Sequence, residues 1–263
     1  MIITSKDNEI IKSIRKLKDK KYRDENNEFI IEGIKLIEEA MDENIVIKKI
    51  VVCDECASDL PQELLYKIAK FDVIYVPEKI FKIITDVNNP QGILAVVEKN
   101  KNKEIDYKSD FFLVLDNIQD PGNMGTILRT ADSINLKQII VAKGSADCYN
   151  PKVVRSTMGA IFRVSVFECD LVRTLKELKK HKVRILSTDL NTENSIYDVS
   201  YEKTAVVIGN EANGVSTEVL ELSDGRIKIP MFGRTESLNA GVATGIILYE
   251  AMRKKIYGKK TNN

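Results

Sequence analysis

Six short apolar runs in the second half of the chain, each set off from the next by polar or amphipathic sequence, constrain the fold most. They are FFLVL (111–115), QIIVA (138–142), FRVSV (162–166), VRILS (183–187), TAVVI (204–208) and RIKI (226–229). Runs this short read as strands, not buried helices. Helical patterns lie between most of them, at about 123–135, 151–159, 170–181 and 215–222, with a last one at about 238–255. Short apolar strands alternating with helices predict a mostly parallel sheet covered on both faces. Ligands of such sheets bind beyond the carboxyl ends of the strands. That rule selects the loops 116–123, 188–195, 209–216 and 230–239.

The first hundred residues alternate in the same way on a smaller scale. Ile10, Ile14 and Leu17 mark an amphipathic helix. EFIIEG, IVIKKIVVC, FDVIYVP and QGILAVVE read as strands, with helices expected at 34–44, 61–70 (Pro61 in its first turn) and 78–85. These form a compact α/β/α unit over residues 1–98. KNKNKEIDYKSD (99–110) is polar, without periodicity, and reads as a linker. A second domain follows over 111–258, and residues 259–263 read as a tail.

Composition excludes rather than identifies. The chain of 263 residues is 43% hydrophobic and 30% charged, as a globular protein is. No apolar run reaches the roughly 18 residues of a membrane span, and the charged N-terminus lacks a signal-peptide core. The expected location is the cytoplasm, with no membrane partner. Lys and Arg total 40 against 39 Asp and Glu, so net charge implies no partner. Its distribution says more: residues 6–23 hold eight basic side chains against three acidic ones, and RKKIYGKK (253–260) holds five basic residues. Such clusters mark nucleic-acid binding, and equally solvated helix faces. Cys53 and Cys56 in CDEC have the spacing of redox or zinc motifs. The only histidine, His181, is remote in sequence. A zinc site needs about four ligands, so no metal is expected and reduced thiols are the reading adopted. His181 ends a Lys-rich helix and is read as structural.

Three of the selected loops carry chemistry. DNIQDPGNMGTILRTADS after the first strand is more polar than a connection requires, and Asn123 is placed to cap the next helix. IGNEANGVS after the fifth strand brackets Asn210, Glu211 and Asn213 with Gly209 and Gly214, and Ser216 reads as a helix cap. MFGRTESLNAGVATGIILYEAM sets polar Glu236, Ser237 and Asn239 at the start of a helix. Small residues fill that helix's first turns, and its apolar stripe Leu238, Val242, Ile246 and Tyr249 reads as a core face. Taken singly, each loop is also explained as a capped or Gly-rich turn. The common dinucleotide and Walker loops are absent from the sequence.

The ordered trio NIQDPGNMGTILRTAD, VIGNEANGVS and IKIPMFGRTESLNAGVATGIILYEAM resembles the three motifs of the SpoU/TrmH group of RNA ribose 2′-O-methyltransferases, in the SPOUT superfamily. The likeness spans roughly 111–255. The first hundred residues look like the substrate-binding domain often joined to such enzymes, similar in fold to ribosomal protein L30e.

The resemblance implies an α/β fold whose C-terminal parallel-sheet domain is threaded into a deep trefoil knot, beside a smaller L30e-like α/β/α domain. Threading of this kind does not follow from periodicity. It implies S-adenosylmethionine as methyl donor, held largely by backbone at Gly209, Ile229 and Leu238, with Thr188 added from the fourth strand. It implies transfer to a ribose 2′-hydroxyl of RNA, ribosomal rather than transfer RNA, by a homodimer without a metal. The catalytic set carried over is Asn123, Arg129, Glu211, Ser237 and Asn239. The family's usual role for Arg129 is activation of the hydroxyl. Neutralising an arginine, whose pKa lies far above neutrality, costs roughly 9 kcal/mol at pH 7. A charged Arg129 gripping the adjacent phosphate and the developing alkoxide is the alternative. Asn123 and Ser237 are expected to orient ribose or Arg129, and Asn239 and Glu211 to brace the loops, with Glu211 a candidate partner for Arg129. Competing readings are a non-catalytic RNA-binding protein of the same fold and a generic α/β enzyme taking another nucleotide-like ligand.

Overall fold

A computed structural model describes residues 1–100 and 104–257. The expected tail 259–263, with Lys259 and Lys260 of the basic cluster, and part of the expected linker lie outside those residues. In chain order the elements begin with α1 (Glu9–Lys16), α2 (Lys20–Asn26), β1 (Glu28–Glu32), α3 (Ile34–Asp42) and β2 (Ile47–Cys53). Next come α4 (Gln62–Ile68), β3 (Val73–Val76), α5 (Glu78–Ile84), β4 (Ile93–Glu98), β5 (Phe111–Leu115), α6 (Pro121–Ser133) and β6 (Gln138–Ala142). The chain continues with α7 (Pro151–Thr157), β7 (Ser165–Cys169), α8 (Leu171–Lys180), β8 (Arg184–Thr188) and β9 (Thr204–Ile208). It ends with α9 (Thr217–Leu222), β10 (Gly225–Ile227) and α10 (Ala240–Tyr257).

The chain divides into two compact units: Met1–Lys101 with Asp147–Arg163, and Asn102–Ala146 with Val164–Asn263. The first unit holds a four-stranded sheet of order β1-β4-β2-β3, with β4 antiparallel to β1 and β2, and β3 parallel to β2. Val51, Cys53, Ile74, Val76, Leu94 and Val96 of one sheet face pack with Ile11, Ile14 and Leu17 from α1 and its C-cap, and with Ile80, Phe81 and Ile84 from α5. Alternating strand residues point to one face, so period 2 in the strands meets period 3.6 in the helices there. The segment 147–163 completes this unit. Its helix α7 packs on β1, and Tyr149 lies against Phe29 with ring centroids 4.9 Å apart. Arg163 pairs with Glu39 and Glu43. Arg23, which the sequence counted toward a basic surface, is only 2% exposed. Its guanidinium donates to the carbonyls of Leu17 and Lys18 and to the Asp147 carboxylate. Lys18 likewise turns inward, donating to the carbonyls of Ile83 and Thr85. The basic surface of this end is therefore smaller than its composition, because two of its cations close carbonyls left open at chain turns.

The second unit is a six-stranded sheet, all parallel, of order β10-β8-β9-β5-β6-β7. Phe112, Val114, Ile140, Ala205 and Val207 pack with Leu171, Leu175 and Leu178 of α8 and with Val219 of α9. Leu113, Leu115, Ile139, Val206 and Ile208, of opposite parity, are equally buried, so both faces are covered, as parallel sheets require. The chain runs outward from β5 through β6 to β7, then returns on the other side of β5 through β8 and β9. The switch point falls between β5 and β9, where this class of sheet binds ligands.

Local differences from the sequence expectation have simple causes. β7 starts three residues later than expected, since Ala160–Phe162 forms a 3-10 turn. α6 starts at Pro121, capped by Asp120, whose carboxylate accepts from Asn123 N at 2.8 Å. Asn123 is thus the third helical residue and not the cap, which leaves its side chain free. α7 repeats the device, with Asn150 as cap and Pro151 behind it, since proline loses nothing where the helix has no donor to satisfy. Among the described residues no helix is long and apolar enough to cross a membrane.

Candidate active site

The loops after β5 and β9 and the start of α10 meet through three side chains. Asn123 on α6 donates from Nδ2 to Glu211 Oε1 at 2.8 Å and accepts at Oδ1 from Asn239 Nδ2 at 2.8 Å. Asn239 is also the cap of α10, accepting from Gly241 N at 3.0 Å and Val242 N at 3.2 Å. One residue from each sequence motif is therefore in a single hydrogen-bonded line, and the amide of Asn123 uses its donor and its acceptor at once. Asn123 is buried, while Glu211, in the 209–216 loop, is exposed.

That loop is held by groups the sequence reading assigned otherwise. Asp116, 5% exposed at the end of β5, accepts from both Ser216 N and Ser216 Oγ at 2.7 Å. The Ser216 hydroxyl does not cap α9; it braces the loop to β5. Asn210 Nδ2 donates to Asn117 O at 2.8 Å, and its Oδ1 accepts from Ala212 N and Asn213 N. Asn117 itself has φ 60°, a left-handed position that asparagine tolerates. Asp116, Asn210 and Asp120 were missed as specific supports. The Asp-Pro pair 120–121 was a readable signal, since Asp at the cap with Pro next is a helix-start pattern. The other two depend on non-local partners. At Gly209 a Cβ would lie 2.2 Å from Gly214 C and Val215 N. The loop folds back on its own backbone there, and only glycine permits it.

The remaining expected residues group by strand end. Thr188 ends β8, Gly209 follows β9 and Ile229 follows β10, on three neighbouring parallel strands. Thr188 Oγ1 donates to Val207 O at 3.1 Å, so its hydroxyl serves the sheet. Ser237 and Leu238 are exposed just before α10. Arg129, two turns into α6, is exposed as well. The expected pairing of Glu211 with Arg129 is not what forms: Glu211 takes the Asn123 amide and, at 3.4 Å, Gln119 N. His181 stacks on Tyr107 with centroids 4.8 Å apart and takes no part in this site.

The stripe on α10 is also reassigned. Val242 and Tyr249 are about half exposed and Leu238 is 36% exposed, whereas Ala240, Thr244, Ile247, Leu248 and Ala251 are buried. The buried face carries small Ala240, Gly241 and Thr244 in its first turns and Ile247, Leu248 and Ala251 beyond them. A Cβ on Gly241 would sit 3.1 Å from Thr126 Cγ2, so these residues let α10 close on α6 and bring Asn239 to Asn123. Asn123→Ala is expected to lower stability by about 1–2 kcal/mol, the net contribution of the two side-chain hydrogen bonds it removes. It is also expected to loosen all three loops, read as a larger loss of ligand affinity than of melting temperature.

The SpoU rRNA Methylase family matches residues 110–249, and the MRM3-like substrate binding domain matches residues 8–95. The chain is 35% identical over 248 residues to the 23S rRNA (guanosine(2553)-2′-O)-methyltransferase RlmP of Bacillus subtilis, covering 94% of this chain and 97% of that one. Among solved structures it is similar to the AdoMet-bound rRNA methyltransferase of Sinorhizobium meliloti, with TM-score 0.83 and 31% identity over 96% of this chain and 97% of that one. It is also similar to the SpoU methyltransferase AviRb of Streptomyces viridochromogenes in complex with AdoMet, with TM-score 0.84 and 26% identity over 95% and 98%.

Proposed function

The chain belongs to the SpoU rRNA methylase family, and from that premise we propose that it transfers a methyl group from S-adenosylmethionine to the ribose 2′-hydroxyl of one nucleotide in 23S ribosomal RNA, in the cytoplasm. The observation that carries the reading is the Glu211–Asn123–Asn239 line, which ties the three motifs together beside the β5/β9 switch point. The comparisons favour an enzyme over a non-catalytic relative, since the proteins it resembles are named as methyltransferases. Tritium transfer from labelled S-adenosylmethionine to ribosomal RNA tests the reaction. Mapping 2′-O-methylated positions in RNA from cells with and without the gene names the nucleotide, and an unchanged map would sink the assignment.

Backbone at Gly209, Ile229 and Leu238, with Thr188 alongside, is what we propose holds S-adenosylmethionine, since adenine needs an apolar slot with a few amide partners. When bound, S-adenosylmethionine supplies an electrophilic methyl on a sulfonium, which needs no metal to leave. The protein's own task is to hold the 2′-hydroxyl in line and to manage its charge. Ser237, exposed beside Leu238, is placed to orient the ribose. Arg129, which has no side-chain partner among the described residues, keeps all its donors for an RNA phosphate and the developing alkoxide. Asn123, Glu211 and Asn239 act through the loops they brace.

The finer architecture is proposed on the same footing. Residues 1–98 serve as the RNA-binding domain, with Lys12, Arg15, Lys16, Lys20 and Lys21 among its exposed cations. A 2′-hydroxyl acceptor requires RNA rather than DNA. We propose the family's knot for the C-terminal segment. In its support, β10 lies beside β8, the segment at 194–196 bonds to Lys228, and Lys254 of α10 donates to the carbonyls of Tyr197 and Val199. The exposed apolar side chains of Leu238, just before α10, and of Val242 and Tyr249 on it support a homodimer, although the Tyr249 hydroxyl also meets Ser133 Oγ at 3.2 Å. Sedimentation is expected to show a dimer. Val242→Glu is expected to shift it to monomer, and a wild-type monomer at micromolar concentration would overturn the dimer.

A further inference from the structure

The methyl-transfer site uses neither Cys53 nor Cys56, yet the structure builds a place for them. Cys53 ends β2 and is fully buried, and Cys56 is half-buried at the next turn. Their sulfurs are 2.8 Å apart. Three contacts impose this proximity. Cys56 N donates to Cys53 O at 3.2 Å, closing the CDEC turn. Cys53 N donates to Gly92 O at 2.8 Å. Gly92, with φ 76°, lies so close that a Cβ there would sit 2.5 Å from Cys56 Cβ. The turn is also tied to α5, since Glu55 accepts from Glu78 N at 2.8 Å.

Two thiols held this way suit either a metal or each other. Metal sites with cysteine ligands take about four donors. Among the described residues no group of three or more His, Cys, Asp and Glu is gathered to hold one. We propose that Cys53 and Cys56 are a dithiol–disulfide pair that exchanges with low-molecular-weight disulfides of the glutathione type.

The step balances without a further reactant. Cys56, the more accessible of the two, gives up its proton and attacks one sulfur of the small disulfide, expelling the other half, which takes up that proton and leaves as a thiol. Cys53 then gives up its proton and attacks Cys56 Sγ, forming the Cys53–Cys56 bond and expelling the second small thiol. Two protein thiols are oxidised, one disulfide is reduced, and both protons leave on the released thiols. Geometry divides the roles. Burial, and then the hydrogen bond to Cys56, push the Cys53 thiol up to about 12, so Cys53 stays protonated until the mixed disulfide is beside it.

The test uses the full-length protein equilibrated with a glutathione series, acid-quenched, alkylated and read by mass spectrometry on the peptide containing both residues. Wild type is expected to lose both alkylation sites together, two hydrogens lighter, and to recover both with dithiothreitol. Cys53→Ser is expected to accumulate a glutathione adduct on Cys56, and Cys56→Ser to leave Cys53 alkylated only after unfolding. Two free thiols across the whole series, or a persistent wild-type glutathione adduct at Cys56, would overturn the proposal. Methyl transfer in reducing buffer is expected to be unchanged in Cys56→Ser, which separates this pair from the methylation reading.

Discussion

Arg129→Ala is expected to lower methyl transfer by about 10²- to 10³-fold, the range found when one donor to a developing oxyanion is removed. The fold should not notice the change. Arg129 is exposed on α6 and its side chain makes no hydrogen bond or ion pair among the described residues, and such surface changes stay within about 0.5 kcal/mol. The result to measure is therefore a split: turnover collapses while the melting temperature and S-adenosylmethionine affinity hold. Arg129→Lys keeps the charge but loses the planar fork, so partial recovery is expected if the residue acts as a cation on a phosphate. Turnover within about threefold of wild type in Arg129→Ala would remove Arg129 from the mechanism in either form, base or cation.

The largest stability effect is expected at Arg23, a residue with no place in the chemistry. Arg23→Ala leaves the Asp147 carboxylate without its cation and the carbonyls of Leu17 and Lys18 without their donor. Breaking a buried pair from one side costs about 3–5 kcal/mol, a large share of the stability of an ordinary domain. Chemical denaturation should show the loss at neutral pH, and Arg23→Lys should recover little, because an ammonium cannot serve three acceptors in a plane. Arg23→Met combined with Asp147→Leu should cost less than Arg23→Ala, since removing both charges leaves none stranded. An Arg23→Ala protein as stable as wild type would mean that segment 147–163 is held by its other contacts alone. Those contacts include α7 on β1, Tyr149 on Phe29, and Arg163 on Glu39 and Glu43.

The same two residues separate what was legible in the sequence from what was not. Arg129 was found because it sits in a motif, and its freedom from partners is what a functional side chain needs. Arg23 was counted as one of eight basic residues in a charged segment, and nothing local marked it as buried. Its partner lies 124 positions away, and composition carries no information about contacts at that distance. Segment 147–163 was equally opaque. Its local pattern, a capped helix between two strands, is the same whichever unit it packs into. The apolar stripe of α10 failed for a related reason. Leu238, Val242 and Tyr249 recur at helical spacing as a core face would, and so do the small residues beside them. Periodicity defines faces but not which one is buried, and the close approach of Gly241 to Thr126 selected the face that starts with small residues.

What the sequence determined by itself is the alternation of strands and helices, the parallel sheet and the identity of the motif residues. Hydrophobic period and chain punctuation are local, and a residue's chemical type is present before any folding. What only the tertiary structure decided is how those residues work together. Asn123 became the hub joining Glu211 and Asn239, Asp116 became the brace of the glycine loop, and Gly92, distant in sequence, closed on the Cys53–Cys56 turn. Each rests on atoms brought within about 3 Å by β-strand order and helix packing, and such contacts exist only once the chain has closed on itself.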